Sequence, residues 1–341
     1  MKRACFFFAV AVVSLLCCCD GLVDGFGRKK GGLCVVSWNV QNLMDGVVDG
    51  NEYAEFQEDG AWDERSYRAR LRTLESVLLK MNPEPDVILL QEIESDSVLE
   101  DLCRMHLGRK GYLWYGATGD MSNAVQLGFI SRVPISPEDV RVLGVKGQRP
   151  VIQIHLSTDS GEVVLWCIHA KSRIGGGSET EDERLQTAKV VSDSAISAGE
   201  LWPGAVMVVA GDFNEDLDLS DGMGVQTALV RDGAVLAKRY GDCGSLVVTG
   251  FRGRFGCWYS FWYDDGLLKD KEGSYCYQGK WDRFDDVLCS DEGFDGSGLD
   301  FLDAGVFCDG ILCKGNGEPN SYDLKSKSGV SDHLPVWLRL R

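Results

Sequence analysis

Residues 205–214 read AVMVVAGDFN, an unbroken apolar run that ends in the tetrapeptide GDFN. A short apolar run bounded by polar residues is typical of a strand buried on both faces of a sheet. If the strand geometry continues past the run, Asp212 and Asn214 point to one side while Phe213 packs on the other. The stretch therefore predicts two polar groups side by side at the end of a buried strand; a purely structural turn at Asp212 is the alternative.

The same arrangement recurs along the chain, with short apolar runs that end in polar residues. Further strands are predicted at residues 33–38, 86–91, 125–131, 151–156, 162–168, 284–290 and 334–340. The polar residues at or beside the ends of these runs are Asn39, Glu92, His169, Asp285, Asp332 and His333. Because functional groups are commonly carried at one end of a rigid sheet, we expect these side chains to form one site.

Two amphipathic helices complete the predicted secondary structure, at residues 64–81 and 181–199. Each places apolar residues at a helical spacing along one face. Many short buried strands with few helices predict an α+β fold, in which two β-sheets pack face to face as a sandwich flanked by helices. The chain shows no internal repeat and no second linker, so one domain over residues 33–341 is the simplest division.

The composition limits the functions that the chain can have. The chain has 341 residues, of which 44% are hydrophobic and 26% charged, as in ordinary globular proteins. Its 35 Lys and Arg against 52 Asp and Glu give a net charge of −17. Binding of nucleic acid through bulk positive charge is thereby excluded, because that mode needs clustered cations. An enzyme that contacts phosphate through a metal ion is not excluded, since carboxylates bind the metal.

The motifs at the strand ends resemble those of the endonuclease/exonuclease/phosphatase superfamily, which has the deoxyribonuclease I-like fold. The matching stretches are SWNVQN (37–42), LLQEI (89–93), GFISRVPI (128–135), GDFN (211–214) and SDHLPVWL (331–338). Each is short, but they occur in the family's order over nearly the whole mature chain. The resemblance implies a four-layer α/β/β/α arrangement and hydrolysis of a phosphate ester without a covalent enzyme intermediate.

By this resemblance, Glu92 is the main metal ligand. A carboxylate that follows four apolar residues is costly to bury unless it is paired or binds a cation. Mg²⁺ (or Mn²⁺) suits one or two carboxylates and retained waters, here Glu92 with Asn39 and Asp332 nearby. The simpler alternatives are a surface-loop glutamate at Glu92 and a plain turn residue at Asn39.

The resemblance also implies roles for the other polar residues. Asp212 activates the attacking water, and Asn214 positions the water or the phosphate. His333 stabilises the charge that develops on the phosphoryl oxygens. Asp285 orients this histidine; it is chosen over the adjacent Asp286 by the family pattern alone.

The substrate is indicated by the sequence after His169, which matches the family histidine that contacts the scissile phosphate. Residues 168–177 (IHAKSRIGGG) and 183–191 (ERLQTAKVV) are similar to secreted bacterial nucleases, in which a basic pair follows this histidine. Lys171 and Arg173 are the corresponding substrate-binding candidates. A nucleic acid, either DNA or RNA, is therefore the expected substrate.

Other substrates and another protein class stay open. Inositol phosphatases of the superfamily usually carry an arginine after the GDxN motif, where this chain has Glu215. The aromatic residues within 251–281 can stack on bases, enter a lipid interface such as one containing sphingomyelin, or pack on one another. An inert binding protein on the same fold is a further alternative, although the whole set of site residues is present.

The N-terminus predicts export. Lys2 and Arg3 precede an apolar run over residues 5–19, shorter than the roughly 20 residues that span a bilayer. Residues 1–19 are therefore expected to be a signal peptide and residues 20–32 a linker, with a buried N-terminal helix as the alternative. The triplet of cysteines at 17–19 also resembles a lipoprotein-processing site. We expect a monomer in the periplasm, cell envelope or medium, with membrane attachment through an N-terminal lipid as a further possibility.

Nine cysteines follow the predicted leader, and an odd number leaves at least one unpaired. Cys34, Cys167 and Cys289 lie in apolar runs and are expected to be buried thiols. The disulfide candidates lie in loop-like sequence: Cys243, Cys257, Cys276, Cys308 and Cys313.

The predicted leader can be tested by mass spectrometry of the native protein. The mature chain should lack roughly its first 17 to 26 residues, as cleavage after a short apolar segment implies. An acyl group on a cysteine between 17 and 19 would identify a lipid anchor. A native chain that begins at Met1 would contradict export through this segment.

Overall fold

The computed structural model describes residues 31–58, 61–120, 122–220, 226–233, 244–267 and 269–341. The predicted leader, nearly all of the predicted linker and Cys243 lie outside these residues. Within them, no helix has the length and apolar character needed to cross a membrane.

The described residues form four α-helices and sixteen strands, joined by short 3-10 and π turns. The helices are α1 (Glu64–Leu78), α2 (Asp96–Leu102), α3 (Glu181–Leu201) and α4 (Leu217–Ser220). The strands are β1 (Leu33–Leu43), β2 (Val87–Ile93), β3 (Trp114–Ala117), β4 (Gln126–Ser131), β5 (Val140–Leu143), β6 (Val151–Thr158), β7 (Gly161–His169), β8 (Val206–Asp212), β9 (Leu229–Arg231), β10 (Leu246–Thr249), β11 (Trp258–Tyr259), β12 (Tyr275–Tyr277), β13 (Lys280–Asp282), β14 (Asp285–Cys289), β15 (Phe301–Val306) and β16 (Val336–Leu340).

These strands form two large sheets and one hairpin. In the described residues, the first sheet has six strands in the order β15-β16-β1-β2-β4-β3. The second has eight strands in the order β5-β6-β7-β8-β14-β11-β10-β9, and β12 pairs with β13 by itself. Each sheet mixes parallel and antiparallel pairs: β1 runs parallel to β2, and β7 runs parallel to β8.

Alternating side chains of the central strands enter different cores. Val35 and Leu89 of the first sheet pack against Leu165 and Val208 of the second, between the two sheets. Their neighbours along the strands point to the outer faces, where the helices cover them. Burial on both faces explains why these strands are continuous apolar runs instead of alternating ones.

The helices lie outside the sandwich. Leu71 of α1 and Leu99 of α2 belong to the core on the outer face of the first sheet. Val191 of α3 packs with Trp166 and Met207 on the outer face of the second sheet. The predicted α/β/β/α sandwich is therefore confirmed.

The limits of several elements differ from the sequence prediction. α1 ends at Leu78, three residues before the predicted limit. β1 continues to Leu43, and Glu92 lies inside β2 at a register shift between Gln91 and Ile93. Glu92 has a left-handed backbone, with φ 64°. Such an irregularity redirects a side chain, so the Glu92 carboxylate leaves the regular sheet pattern.

The cysteines follow the prediction in part. Cys34, Cys167 and Cys289 are buried free thiols, as expected. Cys308 and Cys313 form a disulfide. The expectation of a disulfide at Cys257 and Cys276 is wrong, because both are free thiols. Cys257 is buried, and burial raises the pKa of its thiol.

The strand register brings three predicted site residues into one row across the second sheet. Asp212 at the end of β8 pairs with His169 of β7 on one side. On the other side it pairs with Asp285 of β14. In the first sheet, Asn39 of β1 pairs with Gln91 of β2. The residues predicted from separate strand ends therefore lie at the same end of the sandwich.

Candidate active site

A buried histidine–aspartate pair lies at one side of the site. Nδ1 of His333 is 2.7 Å from Oδ2 of Asp285, whose side chain is fully buried. Burial alone would lower the pKa of His333, but Asp285, Asp332 and Asp212 raise it well above its ordinary value. The ring is therefore held as an imidazolium that faces the site.

Asp286 points away from this pair. Its Oδ2 accepts a hydrogen bond from the Ser260 hydroxyl at 2.5 Å. Burial raises the pKa of Asp286 to about 7. Since successive strand residues face opposite ways, only Asp285 is placed to contact His333.

Asp212 lies at the centre of the site and is buried. Its Oδ2 is 3.6 Å from Nε2 of His169 and 3.9 Å from Nε2 of His333. Its Oδ1 accepts a hydrogen bond from the Asn214 backbone N–H at 2.8 Å. Burial raises its pKa to about 7, with His333 opposing and Asp285 adding to the rise. A carboxyl group with a pKa near neutrality suits a general base.

His169 is neutral, whereas His333 is positively charged. Burial lowers its pKa well below the ordinary value, and the positive charges of Arg149 and His333 lower it further. Its Nε2 faces Oε1 of Glu92 at 3.7 Å as well as Asp212. A neutral imidazole at this position can donate one hydrogen bond without adding a charge.

Glu92 and Asn39 connect the two sheets at the site. The Asn39 side-chain amide donates to Glu92 Oε1 at 3.0 Å and to Asp212 Oδ2 at 3.1 Å. The Asn42 backbone N–H donates to Glu92 Oε2 at 2.9 Å. Among the described residues, Glu92 forms no ion pair with a lysine or arginine.

This set of donors fits a hard divalent cation. Glu92 and Asp332 line the same cleft, with Asp212 between them and the buried pair. Carboxylate oxygens are the ligands that Mg²⁺ prefers, and the cleft leaves room for its remaining waters. A cation at Glu92 would also offset the negative charge that these carboxylates concentrate.

A second group of metal-binding atoms overlaps the catalytic pair. Ligand atoms of Asp212, Asp285 and His333 lie within 4.8 Å of one another. Asp285 and His333 are already bonded to each other, and an imidazolium repels a cation. Glu92 is therefore the better placed ligand for a hard cation.

The site opens into a cleft of about 710 Å³. The predicted site residues that line it are Glu92, His169, Arg173, Asp212, Asn214, Asp332 and His333. Asn39 and Asp285 lie behind the cleft and form hydrogen bonds with residues that line it. Lys171 is not among the lining residues; its backbone carbonyl accepts a hydrogen bond from Arg184 at 3.4 Å.

The sequence analysis missed two residues on one wall of the cleft, Tyr53 and Arg149. Nη1 of Arg149 donates to the His169 carbonyl at 3.4 Å, and Arg149 forms no ion pair among the described residues. Tyr53 comes from the irregular segment between β1 and α1, for which the sequence predicts no element. Neither residue belongs to a motif, so no signal marked them.

Ser274 holds the backbones of Asp285 and of Leu334, the residue that follows His333. This residue is fully buried. Its hydroxyl oxygen accepts from the Asp285 N–H at 3.0 Å, and its carbonyl accepts from the Leu334 N–H at 2.8 Å. The ring of the next residue, Tyr275, lies 4.8 Å from the His333 ring. The sequence carried no signal for this contact either.

Arg184 of α3 orders the loop that carries Arg173. The fully buried Arg184 guanidinium donates to the Gly177 carbonyl, and its Nε lies 3.5 Å from Oε2 of Glu215. Burial raises the pKa of Glu215 to about 8; Glu181 raises it further and Arg184 lowers it. Glu215, which stands where the inositol phosphatases have arginine, is thus a buried structural partner and does not line the cleft.

A family model matches residues 36–333 of the chain, and its description is "Endonuclease/Exonuclease/phosphatase family". The match includes every predicted member of the site, from Asn39 to His333. The chain belongs to this family. It is accordingly a hydrolase of a family whose members depend on a metal ion.

Solved structures share the fold at low sequence identity. D. rerio TDP2, in complex with a single-strand DNA product, has 15% identity, a TM-score of 0.54 and coverage of 91% of this chain and 99% of its own. The Bacteroides thetaiotaomicron mannosyl-6-phosphatase has 14% identity, a TM-score of 0.51 and coverage of 91% and 99%. Beta toxin of Staphylococcus aureus has 14% identity, a TM-score of 0.52 and coverage of 90% and 99%. No curated protein matches the sequence.

The adjacent aspartates on β14 form a matched pair for mutation. Asp285→Asn should lower the turnover of bis(p-nitrophenyl) phosphate by roughly 10²- to 10⁴-fold, because His333 loses the carboxylate that orients and charges it. Asp286→Asn should keep turnover close to wild type. Equal losses in both variants would contradict the separate roles of these residues.

The same pair predicts a pH effect on stability. The pKa of Asp286 in the folded protein, about 7, exceeds its ordinary value of 3.8. Its protonated form therefore stabilises the fold fully below about pH 4, and this contribution is lost as the pH rises through 7. Asp286→Asn cannot ionise, so its melting temperature relative to wild type should rise between pH 5 and pH 8. A constant difference across this range would show that Asp286 does not titrate in this way.

Proposed function

We propose that this protein is a Mg²⁺- or Mn²⁺-dependent phosphodiesterase that hydrolyses nucleic acid. The observation that carries the proposal is the composition of one cleft. A buried acid–base centre around Asp212 and His333 lies beside the Glu92 carboxylate. Arg149 and Arg173 line the same cleft, and neither forms an ion pair among the described residues.

Each of the polar residues in the cleft has a separate role in the proposed hydrolysis. Asp212 accepts the proton of the attacking water, as its raised pKa allows. Nε2 of His333 donates to a phosphoryl oxygen, and Asp285 holds the ring in that orientation. Asn214, fixed by its side-chain amide on the Ala170 carbonyl at 3.2 Å, positions the water or the phosphate.

The neutral His169 adds a hydrogen bond to the phosphate without adding a positive charge beside the cation site. Glu92, with Asp332 nearby, would hold the cation, and a cation held there would supply polarisation of a phosphoryl oxygen and stabilisation of the leaving alkoxide. Asn39 holds Glu92 and Asp212 in their relative positions through its two hydrogen bonds.

Nucleic acid is favoured by the placement of the positive charges. A chain with net charge −17 repels a polyanion at long range, so attraction must come from local cations. Arg149 and Arg173 supply two such cations beside the scissile position, as flanking phosphates would require. The DNA product bound by D. rerio TDP2 supports the same substrate class on this fold. Phosphomonoesters, inositol phosphates and phospholipids such as sphingomyelin are the competing substrates.

We further propose that the protein is exported and acts as a monomer outside the cytoplasm. The charged start and the apolar run at residues 5–19 support export, with or without a lipid on cysteines 17–19. The Cys308–Cys313 disulfide is consistent with an oxidising compartment. A close relation to the secreted bacterial nucleases is part of the same proposal.

Metal dependence and substrate class can be tested together. Excess chelator should abolish hydrolysis of DNA or RNA, and Mg²⁺ or Mn²⁺ should restore it. Glu92→Gln removes the ligand charge and should lower turnover by roughly 10²- to 10³-fold, since cation binding supplies several kcal/mol of transition-state stabilisation. Glu162→Gln is the matched control, because Glu162 pairs with His155 on the surface and not with the cleft.

Full activity in excess chelator would overturn the assignment of Glu92. The wild-type protein should also be assayed on an inositol phosphate, mannose 6-phosphate and sphingomyelin vesicles. Cleavage of one of these without cleavage of DNA or RNA would contradict the nucleic-acid proposal and leave the metal mechanism in place.

The proposed phosphate contacts predict a difference between two nearby basic residues. Arg173→Ala should raise KM for DNA and reduce the slope of its salt dependence by about one, as loss of one phosphate contact implies. Lys171→Ala should have the smaller effect, because Lys171 does not line the cleft. Hydrolysis of bis(p-nitrophenyl) phosphate, which has no flanking phosphates, should change little in either variant. An equal loss on large and small substrates would place Arg173 in the catalytic centre.

A further inference from the structure

The hairpin of β12 and β13 presents a tyrosine at the cleft on a rigid support. Its two strands pair from Tyr275 opposite Asp282 to Tyr277 opposite Lys280. The two residues between them, Gln278 and Gly279, have φ of 51° and 78°. Left-handed conformations at both central positions are typical of the tight type I′ turn, which matches the twist of the strands. Tyr277 therefore stands at the last position before a short, well-defined turn.

The base of this hairpin is attached to the catalytic pair. Tyr275 forms an antiparallel bridge with His333, in addition to the contact between the two rings. Tyr275 and Tyr277 are two residues apart on one strand, so their side chains point to the same face. Both line the cleft. The ring of Tyr277 thus lies roughly 7 Å along the strand from the residue that touches His333.

Among the described aromatic residues of the stretch 251–281, Tyr277 is the one that is both exposed and in the lining of the cleft. Trp258, Tyr259, Phe261 and Trp262 are buried in the cores of the sandwich, where a ligand cannot reach their faces. Tyr277 is 61% exposed, and the described residues place no other ring against it. The Tyr277 hydroxyl accepts a hydrogen bond from the Gln278 side-chain amide at 3.2 Å. An exposed, unstacked ring at the mouth of a catalytic cleft leaves its face free for a ligand.

We infer that Tyr277 is a stacking platform for a nucleobase next to the scissile phosphate, so that the cleft takes unpaired nucleic acid. This inference rests on the proposed function and specifies its substrate. Every base has a flat face, so stacking on one ring binds the strand without selecting its sequence. Tyrosine offers a large contact area at a small cost in side-chain entropy, and the tight turn lowers that cost further.

The surroundings of the ring favour a base over a lipid. Lys280 is opposite Tyr277 in the hairpin, and the lining of the cleft includes Glu55, Arg149 and Arg173. Among the described lining residues, Ile174 is the other strongly exposed apolar side chain. Two separate apolar groups among charges do not form the continuous apolar face that inserts into a membrane. In a duplex, bases are stacked on one another, and one of them must leave the stack to reach Tyr277.

Matched oligomers test the platform. The probes are a short thymidine oligomer and an abasic tetrahydrofuran oligomer of equal length and charge. With wild-type protein and Mg²⁺, the base-bearing oligomer should have a KM about 5- to 150-fold lower, as the usual strength of base stacking implies. Tyr277→Ala should remove this difference by raising KM for the thymidine oligomer. Tyr277→Phe and Tyr277→Trp should keep it, since they retain a ring.

Phe251→Ala is the matched control, because Phe251 is 67% exposed and does not line the active cleft. It should leave both KM values unchanged. Equal KM values for the two oligomers with wild-type protein would overturn the platform and leave the proposed function standing. Cleavage of a fully paired duplex as readily as of the single strand would also overturn it.

Two other outcomes would bear on the substrate class as well as on the platform. Cleavage by wild-type protein of neither these oligomers nor a uridine oligomer of the same length would refute the proposed function and the platform with it. If Tyr277→Ala loses binding to sphingomyelin vesicles and keeps its discrimination between the oligomers, the ring contacts a membrane and the inference is wrong.

Discussion

The hydrogen bond from Asn39 to Asp212, at 3.1 Å, joins the two sheets of the sandwich at the end where the chemistry lies. Asn39 belongs to the first sheet and Asp212 to the second, and the same amide also holds Glu92. A buried carboxylate is tolerated only when its oxygens are bonded or its charge is offset. The distance between the sheets, which their apolar core determines, therefore controls whether Asp212 and Glu92 lie close enough to act together, as the proposed function requires. A shift of either sheet would separate them.

The charges at this end of the sandwich are arranged around two histidines, one protonated and one neutral. His333 has a carboxylate partner that raises its pKa, whereas burial, helped by two cationic neighbours, lowers the pKa of His169 and keeps it neutral. Asp212 lies between them with a pKa near neutrality, because burial opposes its ionisation and His333 favours it. The same residue types thus acquire different roles from their neighbours alone. The carboxylates that are left without a cationic partner, Glu92 above all, account for the fit to a metal ion.

The cleft-lining residues Arg173 and Tyr277 are attached to the scaffold by contacts outside the buried centre around Asp212. Arg184, buried in α3, ties down the loop of Arg173. Ser274 ties the hairpin of Tyr277 to the backbones of Asp285 and Leu334. A loop fixed in this way presents its side chain at little entropic cost when a ligand binds. The fold thus separates the buried centre around Asp212 from the loops that carry Arg173 and Tyr277, which in our proposal select the substrate.

The sequence by itself determined the buried strands, the sandwich of two sheets and the polar residues at the strand ends, because these depend on local apolar patterns and short motifs. It also placed Asp212, Glu92 and His333 in one predicted site. The tertiary structure alone decided between Asp285 and Asp286, since strand register sets which face meets His333. It also showed that Tyr53 and Arg149 line the cleft and that Ser274 supports it from behind. Lys171, which the sequence suggested as a substrate contact, does not line the cleft. These contacts join residues far apart in the chain, and a pattern of neighbouring residues carries no information about such distances.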